Sequence, residues 1–250
     1  MMNYGCEGLN VVISGGTSGI GLAAAEKFLR DGANVYLLGR SVLRGAMAVQ
    51  KLLAITERSA FYIPCNVASV EDCRKALQSI GGNIHILVNA AGVYVEQRLE
   101  NVTEEDIANI FDTNVKGTMF LTQAALPFMY GGGSIVNIAS DAGISGNYGC
   151  PVYCASKGAV VALTKALALD YAPNIRVNCV CPADVDTPLL RKQLEASNGG
   201  YTLNDMADAY PLGRVGRAEE IAHVICSVAS PLNSFMTGSI IPVDGGLTAK

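Results

Sequence analysis

Short apolar segments alternate with longer segments of helical spacing along almost the whole chain. The apolar segments have five or six residues each, as is typical of buried strands, and lie at 9–14, 34–38, 60–64, 84–89, 134–139, 175–180 and 239–243. The helical segments lie at 19–30, 43–55, 70–80, 103–111, 115–129, 152–171 and 219–229. Short strands separated by helices of this length imply a parallel sheet that is covered by helices on both faces. We therefore predict an α/β fold with a doubly wound parallel sheet of about seven strands, in a single domain over residues 1–250.

The composition fits a globular and rather apolar protein, since 50% of the 250 residues are hydrophobic and 16% are charged. The formal net charge of -4 argues against nucleic acid as a partner. No apolar run is long enough to span a bilayer, and no charged segment is followed by an apolar leader. We therefore expect neither a membrane span nor a signal peptide, and we expect a cytoplasmic protein.

The eight cysteines form no pattern typical of metal sites or of disulfides. No Cys-x-x-Cys occurs, and neither histidine is near a close cysteine pair. Cys179 and Cys181 are too close together for the usual zinc spacing and fall in an apolar run. We predict no metal site and expect most cysteines to be buried thiols in a reducing compartment. Cys150 and Cys154, which flank Tyr153, leave a reaction with electrophiles open.

The turn between the first predicted strand and the first predicted helix is rich in glycine. Residues 15–21 read Gly-Gly-Thr-Ser-Gly-Ile-Gly. Gly15 permits a tight turn, Gly19 lets a diphosphate approach the backbone, and Gly21 allows the helix to pack closely on the sheet. A pyrophosphate would then lie at the positive end of the helix. Because a strand precedes this turn and a helix follows it, the turn predicts a dinucleotide-binding site rather than a merely structural turn.

Tyr153 and Lys157 are four residues apart in a predicted helix and therefore lie on one of its faces. An ammonium group next to a phenol favours the ionised phenol, whose pKa is about 10 when it is free. A tyrosine with a lowered pKa is able to act as an acid or base near neutral pH. The spacing alone is more typical of a solvated pair, so its meaning depends on the rest of the chain.

Taken together, several motifs resemble those of the short-chain dehydrogenase/reductases. They are the glycine-rich turn, Asn-Ala-Ala-Gly at 89–92, Asn114, Ser140 and Tyr-x-x-x-Lys at 153–157. The resemblance extends over essentially the whole chain, to Asp-Gly-Gly at 244–246. It implies a Rossmann fold and an NAD(P)-dependent oxidoreductase that interconverts a ketone and a secondary alcohol. The alternative is a non-catalytic dinucleotide-binding sensor or scaffold of the same fold.

The resemblance implies a catalytic tetrad of Asn114, Ser140, Tyr153 and Lys157. Tyr153 would be the general acid in carbonyl reduction and the base in alcohol oxidation. Lys157 would lower the pKa of Tyr153 and hold the nicotinamide ribose. Ser140 would donate a hydrogen bond to the substrate oxygen, and Asn114 would hold a water molecule next to the lysine. Taken alone, Ser140 also fits a turn or a helix cap, and Asn114 also fits a polar kink.

The end of the second predicted strand indicates which dinucleotide is bound. An NAD-binding fold has Asp or Glu there for the ribose 2′-hydroxyl, whereas an arginine accommodates a 2′-phosphate. Here Gly39 occupies the acidic position and Arg40 follows it. This favours NADP(H), although Ser18 stands where many NADP(H)-preferring members of the family carry Lys or Arg. NAD(H) stays open, with Arg40 as a solvated loop residue.

The resemblance implies further cofactor contacts. Asn66 stands where the family usually has Asp, and Ala183 stands where it usually has Gly after Pro182. Thr187 is also a candidate helix cap before Pro188. The predicted cofactor-binding residues are Gly15, Thr17, Ser18, Gly19, Ile20, Gly21, Arg40, Ser41, Asn66, Val67, Asn89, Ala90, Gly92, Tyr153, Lys157, Pro182, Val185 and Thr187.

The substrate pocket is predicted from Tyr94, residues 140–152, Pro182 and a lid at about 184–213. The lid segment has no regular hydrophobic pattern, and Asn198-Gly199-Gly200 within it is a plausible hinge. Its apolar side chains fit either a hydrophobic substrate or simple packing.

The substrate itself stays open between a 3-oxoacyl thioester and a sugar, polyol or steroid alcohol. Arg191 and Lys192 either bind an anionic substrate such as an acyl-carrier thioester or face water. The resemblance also implies a homotetramer that pairs through helices 115–129 and 152–171 and through the C-terminal strand.

Overall fold

The computed structural model describes residues 3–56, 59–196 and 200–249, and it is built around a parallel sheet of seven strands. The strands of the described residues, two of which lie outside this sheet, are β1 (Asn10–Ser14), β2 (Asn34–Gly39), β3 (Ala60–Pro64), β4 (Ile86–Asn89), β5 (Gly133–Ile138), β6 (Ile175–Pro182), β7 (Val185–Asp186), β8 (Gly216–Arg217) and β9 (Ile240–Val243). The order in the sheet is β3-β2-β1-β4-β5-β6-β9, and every neighbouring pair is parallel. β7 and β8 pair outside this sheet. Strand order reverses between β1 and β4, which creates a crevice at the carboxyl ends of the strands.

Helices connect the strands as right-handed crossovers require. They are α1 (Gly19–Arg30), α2 (Val42–Leu53), α3 (Val70–Gln78), α4 (Glu104–Phe111), α5 (Gly117–Ala125), α6 (Pro151–Tyr171), α7 (Pro188–Ala196), α8 (Leu203–Ala207) and α9 (Ala218–Ala229). Thr103 and Asp106 begin α4 with a reciprocal capping box, in which each side chain bonds the other residue's backbone N–H.

Alternate residues of the central strands point into two separate hydrophobic cores. On β1, Val11 and Ile13 belong to the first core and Val12 belongs to the second. Buried residues of α1, α2 and α9 close the first core, and buried residues of α3, α5 and α6 close the second. The sheet is therefore covered on both faces, and the predicted α/β fold with seven parallel strands is confirmed.

A chain of buried polar side chains crosses the α6 side of the sheet beneath the crevice. Asn89 Nδ2 donates to Asn137 Oδ1 at 2.8 Å, and Asn137 Nδ2 donates to Thr164 Oγ1 at 2.9 Å. Thr164 Oγ1 in turn donates to the carbonyl oxygen of Val160 at 2.8 Å. This chain joins β4, β5 and α6, so it holds α6 in place relative to the sheet.

One helical region differs from its predicted form. The predicted helices 103–111 and 115–129 form one continuous run, in which Asp112–Lys116 is a π-helical turn between α4 and α5. A single π-turn does not produce a recognisable hydrophobic pattern. The sequence therefore predicts two separate helices with a break between them. Turns of this kind frequently occur at functional sites.

Residues 184–213, in which no regular pattern was found, contain β7, α7 and α8. β7 has two residues and α8 has five, so neither is long enough to show hydrophobic periodicity. The predicted hinge at Asn198 and Gly199 lies outside the described residues, and Gly200 is exposed.

Among the described residues, α6 is the one helix long and apolar enough to cross a membrane by length and composition. It has 21 residues and a mean hydropathy of 1.4 over its most apolar window. Core helices of soluble proteins meet the same criterion, and here α6 packs against β6 and the turn after β5. Its composition alone is therefore weak support for a membrane span.

The polar chain predicts a large effect of Asn137→Ala on stability. The substitution removes two buried hydrogen bonds, so the free energy of unfolding should fall by about 1–3 kcal/mol in urea titrations followed by circular dichroism. Asn109→Ala, at an exposed position of α4, should change it by less than about 0.5 kcal/mol. Equal effects of the two substitutions would contradict a structural role for the chain.

Candidate active site

The turn between β1 and α1 lies against the end of β4, and its glycines make this close approach possible. Gly15 has a φ of +66°, and a Cβ atom there would lie 2.8 Å from the carbonyl oxygen of Ala90. A Cβ atom on Gly21 would lie 2.5 Å from the carbonyl oxygen of Gly15. Ser18 precedes α1 without a side-chain cap, which leaves the N–H groups of the first turn available to an anion. The turn therefore fits the pyrophosphate of a dinucleotide.

Two arginines line a cavity of about 160 Å³ at the carboxyl ends of β1 and β2. Arg40 follows β2, and Arg44 lies in the first turn of α2. At Gly39, a Cβ atom would lie 3.2 Å from Cγ2 of Thr17, so the position leaves little room for an acidic side chain. The described lining of this cavity has positive charge and no carboxylate. The sequence analysis did not include Arg44 among the cofactor-binding residues. Its position four residues after Arg40, at the start of a predicted helix, could have indicated that the two side chains lie close together.

The π-helical turn carries Asn114, whose side chain fixes the loop after β4. Asn114 Oδ1 accepts from the backbone N–H of Val93 at 2.8 Å, and Nδ2 donates to the carbonyl oxygen of Val93 at 3.0 Å and to Ser156 Oγ at 3.1 Å. A Cβ atom on Gly92 would lie 3.4 Å from Asn114 Oδ1 and 3.5 Å from Lys157 Nζ. Asn114 and Lys157 therefore meet at Gly92, and the amide of Asn114 is used to position the loop.

Tyr153, Lys157 and Ser140 meet in a second, larger cavity of about 320 Å³. Lys157 is buried, and its Nζ donates to the carbonyl oxygen of Ile138 at 2.9 Å. The same Nζ lies 5.7 Å from the centre of the Tyr153 ring. Ser140 lies just after β5, and its Oγ donates to Asp141 Oδ1 at 2.7 Å. These groups share the edge of the sheet with the glycine-rich turn.

Burial shifts the pKa values of Tyr153 and Lys157 in opposite directions. Desolvation raises the pKa of Tyr153 well above its ordinary value. The nearby hydroxyl of Ser140 opposes this shift, and the charges of Asp141 and Asp184 add to it. Desolvation lowers the pKa of Lys157 to about 8. The lowered pKa that the Tyr-x-x-x-Lys spacing predicts for Tyr153 does not occur in this structure, because desolvation dominates. At neutral pH, Tyr153 is a protonated phenol that is able to donate a proton.

Three carboxylates line the larger cavity, at Glu96, Asp141 and Asp184. Asp141 is buried and accepts hydrogen bonds from Ser140 Oγ and, at 2.9 Å, from Asn147 Nδ2. Sequence reasoning placed Asp141 in the pocket region but gave none of the three carboxylates a role. The signal for Asp141 was its place directly after the motif serine.

Most of the predicted cofactor contacts lie along the two cavities. The smaller cavity is lined by Gly15, Thr17, Ser18, Arg40, Asn66, Val67 and Gly92. The larger cavity is lined by Ile20, Ala90, Gly92, Tyr153, Lys157, Pro182, Val185 and Thr187. Gly19 lies next to Thr187. Three predicted residues lie elsewhere: Gly21 packs against Gly15, Ser41 caps α2, and Asn89 is buried in the polar chain.

α7 and α8 cover the larger cavity from one side. Gln193 Nε2 and the Tyr201 hydroxyl donate to Glu96 Oε2 at 3.0 and 2.7 Å, which links this cover to the loop after β4. The lining residues from this region are Leu189, Leu190, Gln193, Tyr201 and Met206.

The two basic residues of α7 do not line the larger cavity. Arg191 is exposed and donates from Nε and Nη2 to the carboxylate of Asp186 at 2.8 and 3.1 Å. Lys192 is exposed and lines an adjoining cavity together with Arg40.

All eight cysteines are free thiols, of which seven are buried and Cys154 is partly buried. Within residues 3–56, 59–196 and 200–249, no group of three or more His, Cys, Asp or Glu side chains is arranged to hold a metal ion.

Comparisons with known proteins agree with this geometry. Residues 15–248 match the family described as enoyl-(acyl carrier protein) reductase. The chain is 35% identical to a 3-oxoacyl-(acyl-carrier-protein) reductase of Thermotoga maritima, over 96% of this chain and 98% of the relative. It superposes on a ligand-free aldohexose dehydrogenase of Thermoplasma acidophilum with a TM-score of 0.90 and 32% identity, covering 100% of this chain and 97% of the other. A short-chain type dehydrogenase/reductase from Mycobacterium marinum gives a TM-score of 0.91 and 33% identity, with 99% and 98% covered. The chain is therefore an oxidoreductase of the short-chain dehydrogenase/reductase family.

Proposed function

We propose that the protein transfers a hydride reversibly between NADP(H) and a ketone or secondary alcohol, with Tyr153 as the general acid and base. The observation that carries this proposal is the meeting of Tyr153, Ser140 and Lys157 in a cavity beside the glycine-rich turn. The glycine-rich turn and the two cavities, which share Gly92, would together hold the cofactor.

The protein residues supply orientation, a proton and charge stabilisation, and the bound cofactor supplies the hydride. Tyr153 gives its proton to the carbonyl oxygen during reduction and takes it back during oxidation. The hydroxyl of Ser140 turns from Asp141 toward the substrate oxygen, where it stabilises the developing negative charge. Lys157, whose Nζ lies beside Gly92, holds the ribose hydroxyls of the nicotinamide half.

Desolvation raises the pKa of Tyr153, so the phenol is protonated near neutral pH. A protonated phenol is ready to act as an acid, so carbonyl reduction finds the group in the required form. Oxidation needs the phenolate, whose formation a high pKa disfavours.

Arg40 and Arg44 support NADP(H) over NAD(H). Both guanidinium groups line the cavity at the end of β2, where a 2′-phosphate would lie. Gly39 provides no carboxylate for a ribose 2′-hydroxyl, and Thr17 fills the space in front of it.

We also propose that residues 1–250 form one domain with a substrate lid at about 184–213, and that the protein is a cytoplasmic homotetramer. Eight free thiols fit a reducing compartment. The exposed side chain of Leu169 on α6 fits a helix that packs against a second chain. Between substrate classes, the relatives named above leave acyl thioesters and sugars both open.

Tyr153→Phe should lower kcat for carbonyl reduction by at least about 10²-fold, because it removes the proton donor. NADPH binding, followed by its fluorescence, should survive. Tyr171→Phe, on the same helix outside the cavity, is the matched control and should retain wild-type turnover. Retention of more than about a tenth of the wild-type rate by Tyr153→Phe would overturn the assigned role.

The pKa of Lys157 predicts the pH dependence of reduction. The cationic form that holds the ribose is present below a pKa of about 8 and is lost as the pH rises through it. The kcat/KM for carbonyl reduction should therefore be constant near neutral pH and should fall above about pH 8. Lys157→Arg should move this fall to higher pH, since a guanidinium stays charged, while Lys165→Arg, on the exposed face of α6, should not. An unmoved fall in Lys157→Arg would assign the titration to another group.

Arg40→Asp should lower the ratio of kcat/KM for NADPH to that for NADH at least about tenfold, which corresponds to about 1.4 kcal/mol. The new carboxylate repels a 2′-phosphate and accepts a hydrogen bond from a 2′-hydroxyl. Arg74→Asp makes the same charge change at an exposed position of α3 and should leave the ratio unchanged. An unchanged ratio in Arg40→Asp would mean that Arg40 does not read the phosphate.

A further inference from the structure

The cavity that holds Tyr153 is strongly acidic. Glu96 comes from the loop after β4, Asp141 from the turn after β5, and Asp184 from the segment after β6. Among the described residues that line this cavity, Lys157 is the one positively charged side chain, and its Nζ is bonded to the carbonyl oxygen of Ile138. Three loops therefore place negative charge around the substrate position without a matching cation.

The three carboxylates keep capacity for further hydrogen-bond donors. A carboxylate accepts about four hydrogen bonds. Asp141 accepts bonds from Ser140 and Asn147, and Asp184 accepts one from the hydroxyl of Tyr210. The remaining lone pairs of the buried Asp141 and the half-buried Asp184 are available to donors from a bound substrate. Glu96 is exposed and accepts hydrogen bonds from Gln193 and Tyr201, which leaves it capacity for a further donor.

This charge pattern discriminates between the open substrate classes. Carboxylates attract hydroxyl donors and repel phosphate and carboxylate groups. An acyl thioester on a carrier brings phosphate groups to the mouth of the cavity, where Arg191 is already paired with Asp186 and where Lys192 and Arg40 line the adjoining cavity. The lining of the larger cavity therefore disfavours a substrate that carries negative charge close to its reacting carbon.

Neutral polar groups lie among the carboxylates and favour several hydroxyls over one ammonium. Tyr94, Asn147, Gln193 and Tyr201 line the same cavity, and their phenol and amide groups both donate and accept hydrogen bonds. A single ammonium would pair with one carboxylate and would add no donor to the other two. A substrate with hydroxyls on several carbons satisfies groups from all three loops.

The size of the cavity agrees with a small substrate. Its volume of about 320 Å³ lies at the lower end of the range of ligand pockets, roughly 300–1,000 Å³. Part of that space belongs to the nicotinamide end of the cofactor, since Ile20, Val185 and Thr187 also line it. An adjoining cavity of about 700 Å³ shares Tyr94, Glu96, Leu189 and Gln193 with it, so the size of a bound substrate also depends on how far it enters that space.

We propose that the substrate is a small, uncharged polyol or sugar whose hydroxyls donate hydrogen bonds to Asp184, Glu96 and Asp141. This inference rests on the proposed function. In oxidation, the carbinol C–H bond breaks and its hydride passes to NADP⁺, while the O–H proton passes to the phenolate of Tyr153 and then to solvent. A polyol becomes a hydroxyketone, a cyclic sugar oxidised at its anomeric carbon becomes a lactone, and NADP⁺ becomes NADPH in either case. Reduction is the reverse.

The first test compares alcohols that differ in charge and hydroxyl content, with NADP⁺ and NAD⁺ in parallel. The probes are ribitol, D-sorbitol and D-glucose as polyols, cyclohexanol as an alcohol without further hydroxyls, 3-quinuclidinol as a cationic amino alcohol, and 3-hydroxybutyryl coenzyme A as an anionic thioester. At least one polyol should exceed the other three classes in kcat/KM by tenfold or more. A higher value for the thioester, the amino alcohol or cyclohexanol would overturn this inference and leave the proposed function standing. Turnover of no probe with either cofactor would overturn both.

The second test removes one charge and keeps the shape. Asp184→Asn should lower the ratio of kcat/KM for the best polyol to that for cyclohexanol at least tenfold. Asp186→Asn, two residues away and paired with Arg191 outside the cavity, is the matched control and should keep the ratio. Glu96→Gln, at an exposed position, provides a second cavity variant that does not depend on the folding of the first, and it should lower the ratio in the same direction. Unchanged ratios in both cavity variants would overturn the inference.

Discussion

The parallel pairing of β1, β4, β5 and β6 is the constraint on which the whole site depends. Because these strands run in one direction, their carboxyl ends bring Gly15, Gly92, Ser140 and Pro182 to the same edge of the sheet. Tyr153 and Lys157 belong to α6, so they reach this edge only if α6 is fixed at one position along the strands of the sheet. The buried chain of amides and hydroxyls from β4 through β5 to α6 supplies that restraint.

Desolvation then decides the chemistry of the groups so assembled. It raises the pKa of Tyr153 and lowers the pKa of Lys157, so both shifts favour the neutral form of the group. The nearby charges of Asp141 and Asp184 raise the pKa of the phenol further. We propose that the carboxylates lining the same cavity favour a substrate with hydroxyl donors.

Local sequence patterns were sufficient for the parts of the molecule that local chemistry determines. The seven central strands are short apolar runs between turns, and the glycine-rich turn, Ser140 and Tyr153 stand in recognisable motifs. What depends on distant contacts was not predictable. Glu96 and Tyr201 are 105 residues apart in the chain, and the π-turn at Asp112–Lys116 has no hydrophobic signature. The burial that reverses the expected pKa shift of Tyr153 likewise exists only in the folded chain.

Transfer of a labelled hydride tests the central claim most directly. The protein would be supplied with NADPH that carries deuterium at the nicotinamide C4, in separate batches labelled on each face, together with a ketone that it reduces. Mass spectrometry of the alcohol should find one deuterium on the carbinol carbon with one of the two batches and none with the other. Consumption of NADPH without deuterium in the alcohol from either batch would contradict direct hydride transfer at this site.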